Sequence, residues 1–188
     1  MLSPELYPEP DSIPEPMRLP EPVVQRRYLI GGELVEWSGP MQEVVSPVAV
    51  RAGGPPARTV IGSYPRLGAD ESHRALAAAK KAYDNGRGAW PTMSVRERLG
   101  YLARFVDGMK RKKADVVRLL VWEVAKPLPD AEREFDRTVR YIERTIETLV
   151  DFDRAGSRPA IEEGVFGQIR RAPLGVVLCM GPFNYPLN

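Results

Sequence analysis

Apolar and polar positions change their spacing three times along this chain of 188 residues, and each change predicts a different kind of element. From Tyr28 to Trp37 two short apolar runs flank Gly31-Gly32-Glu33. Such runs about a glycine turn predict a β-hairpin. Glu43 to Ser46 and Thr59 to Tyr64 read as two more short strands, separated by Gly53-Gly54-Pro55-Pro56. Together these strands predict a small meander.

The spacing then becomes helical. Asp70-Glu71 opens a segment in which Leu76, Ala79, the Lys80 stem and Tyr83 recur at helical steps before Gly86 and Gly88 stop it. Ser94 and Glu97 form a capping-box pattern, in which hydroxyl and carboxylate each accept a backbone N–H at a helix start. The helix that follows puts Leu99, Leu102, Ala103, Val106 and Met109 on one face and ends in Lys110 to Lys113, cations suited to a solvated helix C-terminus. Val116 to Ala125 predicts a further amphipathic helix, halted at Lys126-Pro127 because proline disfavours a helical residue before it. Asp130 can cap a long helix whose stripe is Ala131, Phe135, Val139, Ile142, Ile146 and Leu149. Arg133, Arg137, Arg140, Glu143 and Arg144 fall away from that stripe, toward solvent.

Strand spacing returns after Gly156. Gly164 to Arg171 reads as a strand or bulged strand, and Gly175 to Met180 as a strand apolar on both faces. A run of the second kind belongs in the middle of a parallel sheet covered by helices. Nothing after Asn188 supplies neighbouring strands, so the expectation is an N-terminal piece of a larger protein. At the other end, prolines at 4, 8, 10, 14, 16, 20 and 22, interleaved with acidic residues, predict an extended polyproline-like arm over residues 1–27.

Composition narrows the function classes. Basic and acidic residues, 27 and 25, nearly cancel, and no basic stripe is interleaved with aromatics, which argues against nucleic acid or an anionic membrane as partner. The longest uncharged stretch, from Ala172, is too short and too broken by proline and glycine to span a bilayer. The start of the chain has neither the basic nor the apolar region of a secretory signal. The single cysteine, Cys179, excludes an intramolecular disulfide and suits a reducing compartment, so the cytoplasm is expected. Inside a buried strand with no base nearby, Cys179 should be an inert thiol. His73, the only histidine, should be exposed, and no metal site is expected.

The order of these motifs carries a resemblance. The hairpin, the AAKKAY helix, W-x-x-M-S-x-x-E-R, E-V-A-K, E-F-D-R-T and R-R-A-P-L-G-V-V-L-C-M-G-P-F-N-Y-P resemble the aldehyde dehydrogenase superfamily, and within it the non-phosphorylating, NADP-dependent glyceraldehyde-3-phosphate dehydrogenases. The resemblance runs from about Tyr28 to Asn188, and G-P-F-N-Y-P-L-N is its most specific element. It implies an α/β fold class: the N-terminal part of the aldehyde dehydrogenase fold, with a hairpin and oligomerisation strands, a helical layer, and the first strand of a parallel Rossmann-like sheet. Residues 28–188 would then be an incomplete cofactor-binding and oligomerisation region.

The resemblance also implies chemistry. A cysteine thiolate adds to an aldehyde, hydride passes to NADP or NAD, and a glutamate-activated water hydrolyses the thioester. Asn184 matches the residue whose amide N–H stabilises the oxyanion, Tyr185 a substrate-pocket residue, and Gly181 a position where backbone passes close to the cofactor. Without the resemblance, Asn184 is a turn residue and Tyr185 a core aromatic. Arg137 matches an arginine placed at the substrate phosphate; on periodicity alone it is a solvent-facing residue. Lys126 matches a common lysine of the superfamily and reads better as a surface residue ending a helix. Nucleophile and base match nothing in this chain, so the chain alone should be inactive. The implied partners are a small aldehyde, glyceraldehyde 3-phosphate first among them, and further copies in a homo-oligomer. The alternatives are a fragment of a general aldehyde dehydrogenase and a non-catalytic association module that pairs through its hairpin and the Gly167 to Pro173 strand.

Overall fold

The computed structural model describes residues 7–19, 21–156 and 158–188. After a two-residue strand β1 (Val23–Val24), the predicted hairpin is present as β2 (Arg27–Ile30) and β3 (Glu33–Glu36), paired antiparallel from Arg27↔Glu36 to Ile30↔Glu33. Gly31 and Gly32 both have positive φ, 61° and 87°, the left-handed pair that a two-residue hairpin turn demands and that glycine adopts without Cβ strain.

β4 (Met41–Val50) and β5 (Ala57–Pro65) form a second, longer antiparallel pair, irregular between Val44 and Ala49. The strands do not make one meander. β2 and β3 stand apart as a two-stranded sheet, while the other sheet has the order β1-β5-β4 with β1 parallel to β5. The close approach of β1 uses Gly62, where a Cβ would lie 2.5 Å from the Val23 carbonyl oxygen.

The predicted helices follow in order as α1 (Ala69–Tyr83), α3 (Val95–Arg111), α4 (Lys113–Val124) and α5 (Leu128–Gly156), and a short helix not expected from the sequence, α2 (Ala89–Thr92), lies between the first two. The Ser94 box forms as expected, with the Glu97 N–H donating to Ser94 Oγ at 3.3 Å and the Ser94 N–H to Glu97 Oε2 at 3.0 Å. The Ser94 hydroxyl also donates to Glu97 Oε2 at 2.6 Å, and this hydrogen bond first, then that from the Ser94 N–H, holds the Glu97 carboxyl below its ordinary value of 4.5. Asp130 does not cap α5. Pro127 precedes the helix and its carbonyl accepts the Asp130 and Ala131 N–H groups, leaving Asp130 inside the first turn, paired with Arg133.

The core lies where three helices meet: Val106 of α3, Val117 and Leu120 of α4, and Ala131, Phe135 and Val139 of α5. Burying such side chains contributes about 1.5–3 kcal/mol each. α4 also packs on β4, where the buried Ser46 hydroxyl donates to the Trp122 carbonyl at 2.5 Å. The lysine run between α3 and α4 is less free than a solvated helix end. Lys110 pairs with Glu143 at 2.6 Å and Lys113 with Asp136 at 2.7 Å, both tying the α3–α4 corner to α5. Glu143, through its hydrogen bond first, raises Lys110 above its ordinary value of 10.5.

The arm departs from an extended polyproline path. It makes two single 3-10 turns, Pro10–Ser12 and Glu15–Met17, and touches the body where Trp122 Nε1–H donates to the Met17 carbonyl at 2.7 Å. Pro4 and Pro20 lie outside the described residues.

The largest departure is at the end of the chain. Of the segment from Gly164 to Arg171 only β7 (Val165–Gly167) is strand, paired antiparallel with β6 (Ala160–Glu162). Gly175 to Met180 forms no strand and is largely exposed, with Leu178 at 80% and Met180 at 83%. Cys179 is exposed rather than buried. No described strand lies beside this run, and apolar alternation without a hydrogen-bonding neighbour cannot hold β-structure.

Candidate functional site

The end of α4, the turn after it and the first turns of α5 form one wall of an open cleft of about 810 Å³; Phe183-Asn184-Tyr185 forms the other. Its shape begins in local sequence. Ala125 takes a left-handed conformation (φ 51°), which ends α4 and costs a non-glycine residue about 1–2 kcal/mol. Lys126 follows, and Pro127 restarts the chain as α5.

Lys126 is therefore no surface residue; its side chain is only 12% exposed, and it pairs with the fully buried carboxylate of Glu134. The Lys126 ammonium also donates to the Asn184 backbone carbonyl at 3.0 Å and sits 3.9 Å from the centre of the Tyr185 ring. The second Glu134 oxygen accepts the Leu187 N–H at 3.2 Å. Leu187 itself packs against the helical core, and Thr138 Oγ1 donates to the side-chain oxygen of Asn188 at 3.2 Å. These contacts fasten residues 184–188 to α5, although the run before them is loose.

Three of the expected site residues converge here. Asn184, Tyr185 and Arg137 all line the cleft. The Asn184 side-chain amide makes no hydrogen bond among the described residues, while its backbone carbonyl is held. Arg137 is half-buried rather than solvent-facing; its guanidinium lies 5.3 Å from the Tyr185 ring centre and its buried Nε has no hydrogen-bond partner. Lys126 and Arg133 have carboxylate partners in the cleft, Glu134 and Asp130, whereas Arg137 has none among the described residues. Gly181 lies off the cleft lining, on exposed chain. His73 is exposed on α1, and among the described residues no group of three or more His, Cys, Asp or Glu could hold a metal ion.

A neutral amide donor held through its backbone, beside an unpaired guanidinium, suits a substrate that is anionic at one end and develops charge at the other. The model of the aldehyde dehydrogenase family matches residues 47–188, the greater part of the chain. The chain belongs to the aldehyde dehydrogenase family.

Malonate-semialdehyde dehydrogenase 2 of Shouchella clausii is 31% identical over 158 residues, which are 84% of this chain and 30% of that protein. Glutarate-semialdehyde dehydrogenase of Pseudomonas aeruginosa is 30% identical over 140 residues, 73% of this chain and 27% of the relative. Among solved structures, NADP-dependent glyceraldehyde-3-phosphate dehydrogenase of Bacillus halodurans, complexed with NADP, has a TM-score of 0.64 at 28% identity, covering 87% of this chain and 33% of that one. Betaine aldehyde dehydrogenase of Staphylococcus aureus has a TM-score of 0.70 at 23% identity, covering 90% and 32%, a likeness of fold alone. The architecture is the α/β arrangement of the N-terminal part of aldehyde dehydrogenases. The chain spans less than a third of the length of these curated relatives.

Two residues of this aldehyde dehydrogenase cleft escaped the sequence reading. Lys126 matches a common lysine of the superfamily but reads from the sequence as a surface residue ending a helix, and Glu134 carries no motif of its own. A signal for Glu134 exists in the spacing: it lies three residues after Ala131 and four before Thr138, on the buried face of α5, where a carboxylate needs a partner.

Proposed function

We propose that this chain supplies the oxyanion donor and the substrate contacts of an NAD(P)-dependent aldehyde dehydrogenase acting on a phosphorylated aldehyde such as glyceraldehyde 3-phosphate. The observation that carries the reading is the sharing of one cleft by Asn184, Tyr185 and the unpaired Arg137. The Asn184 amide donates to the oxygen that becomes negative when a thiolate adds to the carbonyl carbon. Losing such a donor costs about 100- to 1000-fold in turnover. Arg137 takes the phosphate with its planar fork, and Tyr185 flanks the carbon chain.

NADP or NAD would supply the hydride acceptor. The exposed backbone at Gly181 fits close approach by the nucleotide, since a Cβ there would have only the Pro186 carbonyl oxygen within 4 Å, at 3.9 Å. Cys179 is not the nucleophile in this reading. The thiolate and the glutamate base lie outside these 188 residues, so the chain by itself turns over no aldehyde. The full-length enzyme would be a cytoplasmic homo-oligomer. Among the described residues no helix is long and apolar enough to cross a membrane.

In an enzyme that carries this segment together with the nucleophile, Asn184→Ala should lower kcat by about 100-fold or more and leave nucleotide affinity unchanged. Unchanged turnover would remove the oxyanion assignment. Arg137→Ala should raise KM for a phosphorylated aldehyde far more than for an unphosphorylated one. Equal effects on both would favour a general aldehyde dehydrogenase.

A second reading, a non-catalytic association module, is favoured by one observation: Leu174, Leu178, Met180 and Phe183 are all exposed on one continuous segment. A monomeric, soluble chain without affinity for longer relatives would exclude it.

A further inference from the structure

We propose that Lys126 and Glu134 form a latch that positions the Asn184 amide, acting as positioning residues for the oxyanion donor; this rests on the reading of Asn184 given above. The latch joins the turn after α4 and the start of α5, with Lys126 and Glu134 eight residues apart, to the segment at Asn184 and Leu187, more than 50 residues further on. The Glu134 carboxylate projects from the buried face of α5 and uses one oxygen for the Lys126 ammonium and the other for the Leu187 N–H, at 3.2 Å. A lysine has three N–H donors. One goes to Glu134, one to the Asn184 carbonyl at 3.0 Å, and the Tyr185 ring faces the ammonium at 3.9 Å.

The division of labour is specific. Every contact of the latch with Asn184 is to its main chain, so the side-chain amide stays free to donate. On the other side of Tyr185, the Leu187 N–H is pinned to the same carboxylate, so the turn is held on both sides of the ring. Pro182 and Pro186 remove further backbone freedom. A donor aimed at a developing charge gains its effect from being fixed before the charge appears. Glu134 and Lys126 supply that fixity through the main chain at Leu187 and Asn184.

The first test uses the 188-residue chain and does not depend on activity. Amide hydrogen exchange is followed at Leu187 and at Phe135 to Val139 of α5, and the order of the Asn184 side-chain amide is measured by 15N relaxation. Glu134→Leu combined with Lys126→Met, which keeps the site apolar and folded, should speed Leu187 exchange by about 10- to 100-fold while the α5 amides move less than about twofold. The Asn184 amide should become mobile in the same variant. Lys126→Arg with Glu134 intact should keep its order, and Asn184→Ala should leave Leu187 protected, because the latch does not grip that side chain. Equal acceleration in α5, or an unchanged Leu187, overturns the latch.

The second test is kinetic, in an enzyme carrying this segment. Lys126→Met should lower kcat with nucleotide KM unchanged, and adding Asn184→Ala should lower it little further than Asn184→Ala alone. Additive losses overturn the positioning role. If Asn184→Ala leaves kcat unchanged, the oxyanion reading falls and the catalytic half of this proposal with it. The exchange result still decides the latch.

Discussion

The Lys126–Glu134 pair sets up a sharp thermodynamic contrast between breaking a buried ion pair and replacing it. Glu134 is fully buried at its side chain and Lys126 nearly so, at 12% exposed. Removing the carboxylate by Glu134→Ala strands an ammonium and the Leu187 N–H, and breaking a buried pair this way costs about 3–5 kcal/mol. The lysine keeps a narrow path to water, which places the expected loss near the lower bound, about 3 kcal/mol. Replacing both partners together, Lys126→Met with Glu134→Leu, removes the desolvation cost along with the attraction and should come within about 1 kcal/mol of the parent. Urea unfolding followed by far-UV circular dichroism measures both. With a slope of about 2 kcal/mol per molar, the single variant should lose about 1.5 M in midpoint and the double variant no more than about 0.5 M. A single variant within about 1 kcal/mol of the parent, or a double variant as unstable as the single, would refute the view that this pair is a mutually compensated buried unit.

Two further outcomes follow from local geometry. The Glu97 carboxyl is held below 4.5 by Ser94, so its contribution to the start of α3 is present above that value and is lost as pH falls through the lower folded value. Helicity measured between about pH 3 and 6 should therefore drop with acid in the parent, and Ser94→Ala or Glu97→Gln should flatten that part of the curve; an unaltered curve would exclude the cap as its source. Cys179, exposed on a segment without strand structure, should react with a thiol reagent in the native chain nearly as fast as in urea; protection of 100-fold or more, on the order expected for a buried thiol, would show that the run is covered in solution.

What could be read from the sequence was local or periodic. The turn at Gly31-Gly32 depends on two residues that alone tolerate the required φ, and the Ser94 box closes within four residues. The α5 stripe announced itself by repetition, and Ala131, Phe135 and Val139 are indeed at the centre of the core. Lys126 and Glu134 were opaque for the opposite reason. Charge alone predicts solvent, and their burial depends on a segment 50 or more residues away: Leu187 lies 53 residues from Glu134, and Asn184 lies 58 from Lys126. Periodicity alone places Arg137 toward solvent by the same rule, and it is half-buried because Tyr185 arrives over it from the far end of the chain.

The run from Gly175 to Met180 shows where pattern stops being sufficient. Val176, Val177 and Leu178 favour extended backbone by β-branching and apolar character, yet that preference is worth at most about 1 kcal/mol per residue and comes mainly from packing against neighbours. Without a paired strand the run leaves its N–H and C=O groups to water and its side chains exposed. Four residues beyond it, Asn184 is nonetheless fastened, because its anchors come from α5 and the turn before it and owe nothing to a sheet. The two halves of the motif therefore have separate structural causes. The apolar half has no paired strand among the described residues, while the half that carries the amide is organised by a lysine and a glutamate. Disrupting the latch should loosen Asn184 whatever the state of the strand, and pairing the strand should leave the latch contacts in place.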